Sequence, residues 1–323
     1  MLLDYFFEPI RDVSEKYILM QSAMASSERI FRVLDVRSDL PAVERPVRLP
    51  EPARGEIVFD HVTFAYEPGQ PVLRNVSFRV RPGEKVAVVG ATGAGKTTLT
   101  ALLTRMYDVD EGAVRIDGVD LREADPADLR RRIAVVLQDV FLFAGNIEGN
   151  ITLGDPAVTR ERVVSAARAV HADGFIGRLP AGYDTPVHER GATLSVGQKQ
   201  LLSFARALAR DPSILVLDEA TSSVDSATEA LVQDAVERLL EGRTAVVVAH
   251  RLSTIRSCDR ILVFHHGELR EQGTHAELLA AGGLYARLYE LQFAAQEGVG
   301  HHPVPGEFTG DAEAPAGTLR ERR

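Results

Sequence analysis

Tryptophan is missing from this 323-residue chain, and cysteine is represented by Cys258 alone. A single thiol excludes an intramolecular disulfide and any multi-cysteine metal site, which fits a reducing cytosol. No apolar run reaches the roughly 18 residues of a membrane span, so the chain as given does not cross a bilayer. The N-terminus also lacks the basic, apolar, small-residue order of a signal peptide. Positive charge is in deficit: the net charge is −9 and the isoelectric point about 5.6. That balance argues against a grip on nucleic acid by bulk charge, while a local basic patch stays open. No internal repeat is found. What is plentiful is apolar content, 45%, enough for one large domain or two small ones.

The stretch Gly90, Ala91, Thr92, Gly93, Ala94, Gly95, Lys96, Thr97 fits G-x-x-x-x-G-K-[ST]. Val86 to Val89 before it read as a buried strand, and Thr98 to Met106 after it as a helix. Glycines at a sharp strand-to-helix turn free backbone N–H groups, and the helix's positive end faces the same point. An anion suits it. Lys96 would reach the β- and γ-phosphates and the Thr97 hydroxyl would ligate Mg²⁺. The plainer alternative is a glycine-rich turn with a solvated lysine.

Residues 3 to 35 carry Ile10, Val13, Tyr17, Met20, Met24, Ser27, Phe31 and Leu34 at 3-4 spacing, one seam of a long helix that needs a partner. Pro41, Pro46, Pro50 and Pro52 mark an extended linker with a boundary near Arg54. Val58, Val62, Phe64 and Tyr66 share one strand parity and Val76, Phe78 and Val80 another, a small sheet that leads into the glycine-rich turn. A hairpin is expected at Asp117-Gly118, a capped helix start at Asp125-Pro126, and a buried strand from Ile133 to Leu137 that ends at Gln138. From about 140 to 210 the period is helical, clearest over Thr159 to Ala172 and Ser195 to Arg210. Strands return at Ile214 to Leu217, Ala245 to Ala249 and Ile261 to Phe264, with a helix from about Ser226 to Leu240. The alternation predicts an α/β fold: a mostly parallel sheet interrupted by a helical insertion. Residues 298 to 323 read as a disordered tail.

Two carboxylates, Asp218 and Glu219, follow the apolar run Ile214 to Leu217, where a parallel sheet presents its ligands. Asp218 would hold Mg²⁺ and Glu219 would polarise an attacking water. An acidic pair that caps a strand is the blander alternative. Leu194-Ser195-Val196-Gly197-Gln198 stands before a helix. Ser195-x-x-Gln198 is an ordinary capping box, and a helix N-terminus with a hydroxyl, a glycine N–H and an amide is also an anion site; both readings hold together.

With these motifs in this order, residues 56 to 293 resemble the ATP-binding cassette ATPases, the nucleotide-binding domains of ABC transporters. The resemblance implies a P-loop NTPase core with a small antiparallel β subdomain and an inserted helical subdomain at about 140–210, within an ATPase domain at 55–293. It implies ATP and Mg²⁺ as cofactors. It also implies a second ABC subunit, identical or related, because the phosphate loop of one subunit closes over ATP against the Leu-Ser-x-Gly-Gln segment of the other. On that pattern Tyr66 stacks on adenine, Gly90 to Thr98 cradle the phosphates, and Thr97, Gln138 and Asp218 attend the metal. Ser195, Gly197 and Gln198 meet the γ-phosphate in trans, and Asp225 communicates between sites. Glu219, His250, Gln138 and Lys96 make up the catalytic set. Singly, Tyr66 also reads as a sheet residue, Gln138 as a strand terminus, Asp225 as a helix cap and His250 as a satisfied core histidine.

Phe141-Leu142-Phe143, Asn146-Ile147, Asn150-Ile151 and Glu189-Arg190-Gly191 look like exporter-type cassettes, in which these segments face the membrane domain. The apolar triplet is a socket for a partner helix or a buried loop anchor. Residues 1–40 resemble the intracellular end of an exporter's last transmembrane helix, followed by a linker at 41–54. The resemblance therefore implies a motor on the cytoplasmic face of the cell membrane, with its membrane domain in cis or in trans. A soluble cassette ATPase acting on nucleic acid or ribosomes is the first rival, and a non-cycling truncated fragment the second. No nucleic acid is expected as a partner.

Overall fold

The apolar-seamed N-terminal stretch is one helix, α1 (Leu2–Asp35), in the computed structural model, which describes residues 2–36, 40–41, 43–218, 226–249 and 251–292. Ile10, Val13, Tyr17, Met20, Met24, Phe31 and Leu34 are all exposed on it. The seam is present and uncovered. Even so, among the described residues no helix is long and apolar enough to cross a membrane.

The proline-rich stretch does not run free as far as Arg54. Val47 bridges Ala124, Leu49 is buried, and the Leu49 N–H donates to Asp128 Oδ2 at 2.8 Å. The N–H groups of Arg54, Gly55 and Glu56 then all donate to the Asp117 carboxylate. This part of the linker is therefore pinned to the domain by three orphan backbone donors sharing one acceptor pair.

Strands β1 (Ile57–Ala65) and β2 (Pro71–Val80) pair antiparallel. The expected parity fails in the first half of β1. Ile57 and Phe59 face the core instead of Val58, because the register slips between Phe59 and Val62. His61 takes a positive φ there, and its N–H donates to Ser77 Oγ. A bulge of one residue flips every side chain before it to the other face. Phe59 then stacks on Phe78 at 4.6 Å.

Strand β3 (Lys85–Gly90) leads into α2 (Lys96–Leu103), which starts two residues before the expected Thr98 and stops before Met106. Next come β4 (Glu111–Ile116), β5 (Val119–Asp120), α3 (Pro126–Arg132) and β6 (Ile133–Val136). Asp117 and Gly118 both have positive φ, as a two-residue hairpin turn requires. Asp125 caps α3 as its side chain accepts from Ala127 and Asp128.

The inserted segment holds β7 (Gly145–Asn146), α4 (Ile147–Thr152), α5 (Arg160–Ala169), α6 (Asp173–Ile176), β8 (Pro186–Val187) and α7 (Val196–Ala209). Sequence periodicity located α5 and α7 within a generally helical stretch, but not α4, α6 or the two-residue β7–β8 ribbon. The chain closes with β9 (Ile214–Asp218), α8 (Ser226–Leu240), β10 (Thr244–Val248), α9 (Leu252–Arg256), β11 (Arg260–His265), β12 (Glu268–Gly273), α10 (His275–Ala280) and α11 (Leu284–Gln292).

The main sheet runs β12-β11-β3-β10-β9-β6, parallel except for β12. A smaller sheet runs β2-β1-β4-β5. Alternation along the parallel strands makes two cores. Ala87, Val89, Leu215, Leu217, Val247 and Val263 join the helical side with Phe204 and Leu201 of α7. Val86, Val88, Ile214, Val216, Val246 and Leu262 join the antiparallel sheet and α2. Every residue of β10 is buried, as a strand covered on both faces must be.

Candidate nucleotide site

Parallel register brings the carboxyl ends of five neighbouring strands to one edge of the main sheet. Phe264 of β11 stands beside Gly90 of β3, Val248 of β10 beside Asp218 of β9, and Val136 of β6 beside Leu217. With about 4.8 Å per strand, β3 and β9 are two steps, or about 10 Å, apart. In an open parallel sheet this edge is the usual ligand position.

The loop after β3 is shaped by its own contacts. A Cβ on Gly90 would collide with the carbonyl oxygen of Phe264. Ala91, Thr92 and Gly93 are exposed, and the Ala94 N–H closes the turn onto Ala91 O at 3.1 Å. Gly95 is the N-cap of α2 with φ +98°, and a Cβ there would stand 2.5 Å from Leu73 Cδ2. We expect Gly95→Ala to lower stability by about 1–2 kcal/mol from the left-handed torsion alone, with the Leu73 clash added. An unchanged melting temperature would show that the loop does not need this torsion.

Lys96, Thr97 and Thr98 form the first turn of α2, which holds no acidic side chain. Lys96 is only 8% exposed, and its Nζ donates to Gly90 O at 2.7 Å and Ala91 O at 3.0 Å. Burial pushes its pKa below the ordinary value of 10.5, and the Asp218 carboxylate pulls it back up. A cation that follows β3 and a carboxylate that ends β9 thus lie within electrostatic reach of each other. Thr97 is exposed, and Gln138 lies exposed two residues beyond β6.

Tyr66 follows β1 and is tied to the same helix: its hydroxyl donates to Thr98 Oγ1 at 3.1 Å. Phe64 and Tyr107 meet its ring edge to face at 5.0 and 5.2 Å. Sequence reasoning passed over Tyr107, which carried no periodic signal. Lys96, Thr98, Tyr66 and Asp218 are therefore brought together.

The Ser195 segment is not. Ser195 caps α7, where its Oγ accepts from the Gln198 N–H and the Gln198 side chain accepts from the Ser195 N–H, a complete capping box. Gly197 is buried while Ser195 and Val196 are exposed. Among the described residues no hydrogen bond joins this turn to the loop at 90–97. Glu219, Asp225 and His250, and the tail from 293, lie outside the described residues.

An open cavity of about 720 Å³ lies where β3 and β11 begin, lined by Arg81, Glu84, Arg260 and Glu277. It is at the other end of the sheet from the loop, and its charges are of both signs.

The ABC transporter family model matches residues 73–222, the span from β2 through the loop, the helical insertion and β9. Residues 73–222 belong to the ABC transporter family. The chain is 48% identical over 293 residues to the uncharacterized ABC transporter ATP-binding protein YknV of Bacillus subtilis, covering 90% of this chain and 48% of that protein. It is 48% identical over 283 residues to the fatty acid ABC transporter ATP-binding/permease protein of Mycobacterium bovis, covering 88% of this chain and 44% of that protein. A solved structure of a bacterial Atm1-family ABC exporter with ATP bound matches with a TM-score of 0.76 at 39% identity, over 90% of this chain and 51% of that one. This chain thus spans about half the length of the relatives it matches. The expected P-loop NTPase fold holds, and the domain binds ATP as a member of a family of ATPases.

Proposed function

We propose that this chain is the ATP-hydrolysing motor of an exporter, working as a dimer on the cytoplasmic face of a membrane. The observation that carries the reading is the separation of two half-sites within one fold. The loop with Lys96 and Asp218 forms one half, and the capped N-terminus of α7 stands apart from it. The helix N-terminus formed by Ser195, Gly197 and Gln198 then completes the site of a partner subunit.

In this reading the exposed ring of Tyr66, braced by Phe64 and Tyr107, takes the adenine. The first turn of α2 and Lys96 take the phosphates. Mg²⁺ fits the donors: Thr97 offers a hydroxyl, Gln138 an amide oxygen and Asp218 a carboxylate, all hard oxygen ligands. Among the described residues no group of three His, Cys, Asp or Glu side chains could hold a metal. One carboxylate with neutral oxygens suits an ion that brings phosphate oxygens and water with it. Bound there, the ion would neutralise phosphate charge. Glu219 takes a proton from the attacking water, and Gln138 and His250 position it. Asp225 links the two sites. The relatives' names speak of permeases, and the exposed seam of α1 supports attachment to a membrane domain. The cargo is selected there, so no residue of this chain names it.

The test is ATP hydrolysis by the purified chain, with Mg²⁺ and with EDTA. Mg²⁺-dependent turnover that rises more steeply than protein concentration is expected, since two chains make each site. Absence of hydrolysis by protein that still dimerises would replace the motor with an ATP-dependent scaffold.

A further inference from the structure

The loop between Gln138 and α4 is held by groups far from it in sequence. Leu142 is fully buried, while Phe141 and Phe143 are 53% and 54% exposed with their rings edge to face at 5.0 Å. The triplet is thus an anchor and an outward surface at once. Gly191 lets Leu142 in: a Cβ there would stand 2.7 Å from Leu142 Cδ1, and the Arg190 N–H donates to Leu142 O at 3.2 Å. Asn150, 2% exposed, accepts from the Phe143 N–H and donates to Phe143 O, both at 2.8 Å, and donates to Asn146 O at 3.0 Å.

Arg206 closes this arrangement from α7. Its Nε donates to Asn150 O at 2.8 Å, and both of its terminal nitrogens donate to Phe141 O at 3.2 Å. Among the described residues it has no carboxylate partner, and burial, with Arg210 nearby, pushes its pKa down. A half-buried cation satisfied by carbonyls alone is a costly way to gain stability. What it supplies is geometry: a planar fork that grips two carbonyl oxygens of different segments. Eleven residues of continuous helix, about 16 Å, separate Arg206 from Ser195.

We propose that Arg206 is a positioning residue that locks the loop of Phe141 and Phe143 to α7 and thereby sets the α7 N-terminus bearing Ser195, Gly197 and Gln198. The proposal rests on the nucleotide role assigned above to that N-terminus.

The test uses the full chain and Arg206→Lys, which keeps the charge and loses the fork. Hydrogen exchange at amides 198 and 199, which donate to Ser195, should quicken about tenfold, while amides of α2 keep their wild-type rates. Turnover should fall about tenfold with KM for ATP unchanged, and Arg206→Lys combined with Ser195→Ala should be no slower than Ser195→Ala alone. Arg206→Met, which removes the buried charge, should keep the melting temperature while showing the same exchange pattern. Equal exchange changes in α2 and α7, or additive losses in the double variant, would overturn the proposal. If the wild-type chain proves not to hydrolyse ATP, the motor reading falls, and the exchange pattern still decides the role of Arg206.

Discussion

Lys96→Ala is expected to lower turnover by about 10²–10³, the usual consequence of removing one positioned donor from a charge-stabilising site. It should also raise the Kd for ATP by roughly 10- to 100-fold, since hydrogen bonds from charged groups contribute about 1.5–3 kcal/mol. Without nucleotide the variant should fold as well as the parent. Two effects offset each other: Gly90 O and Ala91 O lose a donor, and a buried ammonium no longer has to be desolvated. The loop at 91–93 is exposed, so water replaces the missing donor. Thermal unfolding separates the two outcomes. At an ATP concentration 100 times the parent's Kd, the parent gains about 2.7 kcal/mol from mass action, and the variant should gain only about 0.4–1.4 kcal/mol. An equal ATP-induced shift in Lys96→Ala would remove Lys96 from the phosphate site.

The same residue sets a pH dependence. Phosphate needs the ammonium charged, so affinity should be full at neutral pH and fall as pH rises through the lowered Lys96 pKa, below 10.5. Stability without nucleotide runs the other way. Between the lowered folded pKa and 10.5 the unfolded chain holds a proton that the native state has lost, so stability from this group rises with pH there. Lys96→Ala should lack both trends.

That Lys96 could be singled out from sequence follows from the kind of signal it carries. The loop is contiguous, its glycines sit between an apolar strand and a helix, and every part of the pattern lies within one βα unit. The capping box at Ser195 is local in the same way, as are the hairpin at Asp117 and the cap at Asp125. Features that depend on a distant partner were not legible. The bulge at His61 has no pattern of its own, because the extra residue is defined only against β2, and Val58 was therefore assigned to the wrong face. The polar edge strand β12 lacks an apolar period and exists through its pairing with β11. Leu49 reads as part of a proline-rich linker until Asp128 accepts its N–H. Arg206 reads as an ordinary basic residue in the last turn of α7, and only the fold brings it to the carbonyls of Phe141 and Asn150. α2 began earlier than expected because Lys96 and Thr97 interrupt the apolar period, although Gly95 caps the helix ahead of them.

Glu219→Gln is expected to slow turnover by about 10²–10⁴, the contribution of a general base, and to leave ATP bound. The argument starts from the strand ends. Asp218 closes β9 opposite Val248 of β10, and Leu217 stands opposite Val136 of β6. In the sequence Glu219 is the next residue after Asp218, His250 comes two residues after Val248, and Gln138 two after Val136. Three adjacent parallel strands therefore lead directly into the three side chains assigned to the attacking water. The substitution keeps the size of the side chain and removes the carboxylate that would take the proton. ATP would then hold the two half-sites together without being consumed. Light scattering at saturating Mg²⁺-ATP should show the mass rise from 35.3 kDa to about twice that value, since two chains complete each site. A folded variant that stays monomeric under these conditions would rule out composite sites, and a wild-type rate would take Glu219 out of the mechanism whatever the assembly. Slow turnover with a stable dimer would leave the capped N-terminus of α7, which among the described residues has no hydrogen bond to the loop at 90–97, as the element that reads the nucleotide of its neighbour.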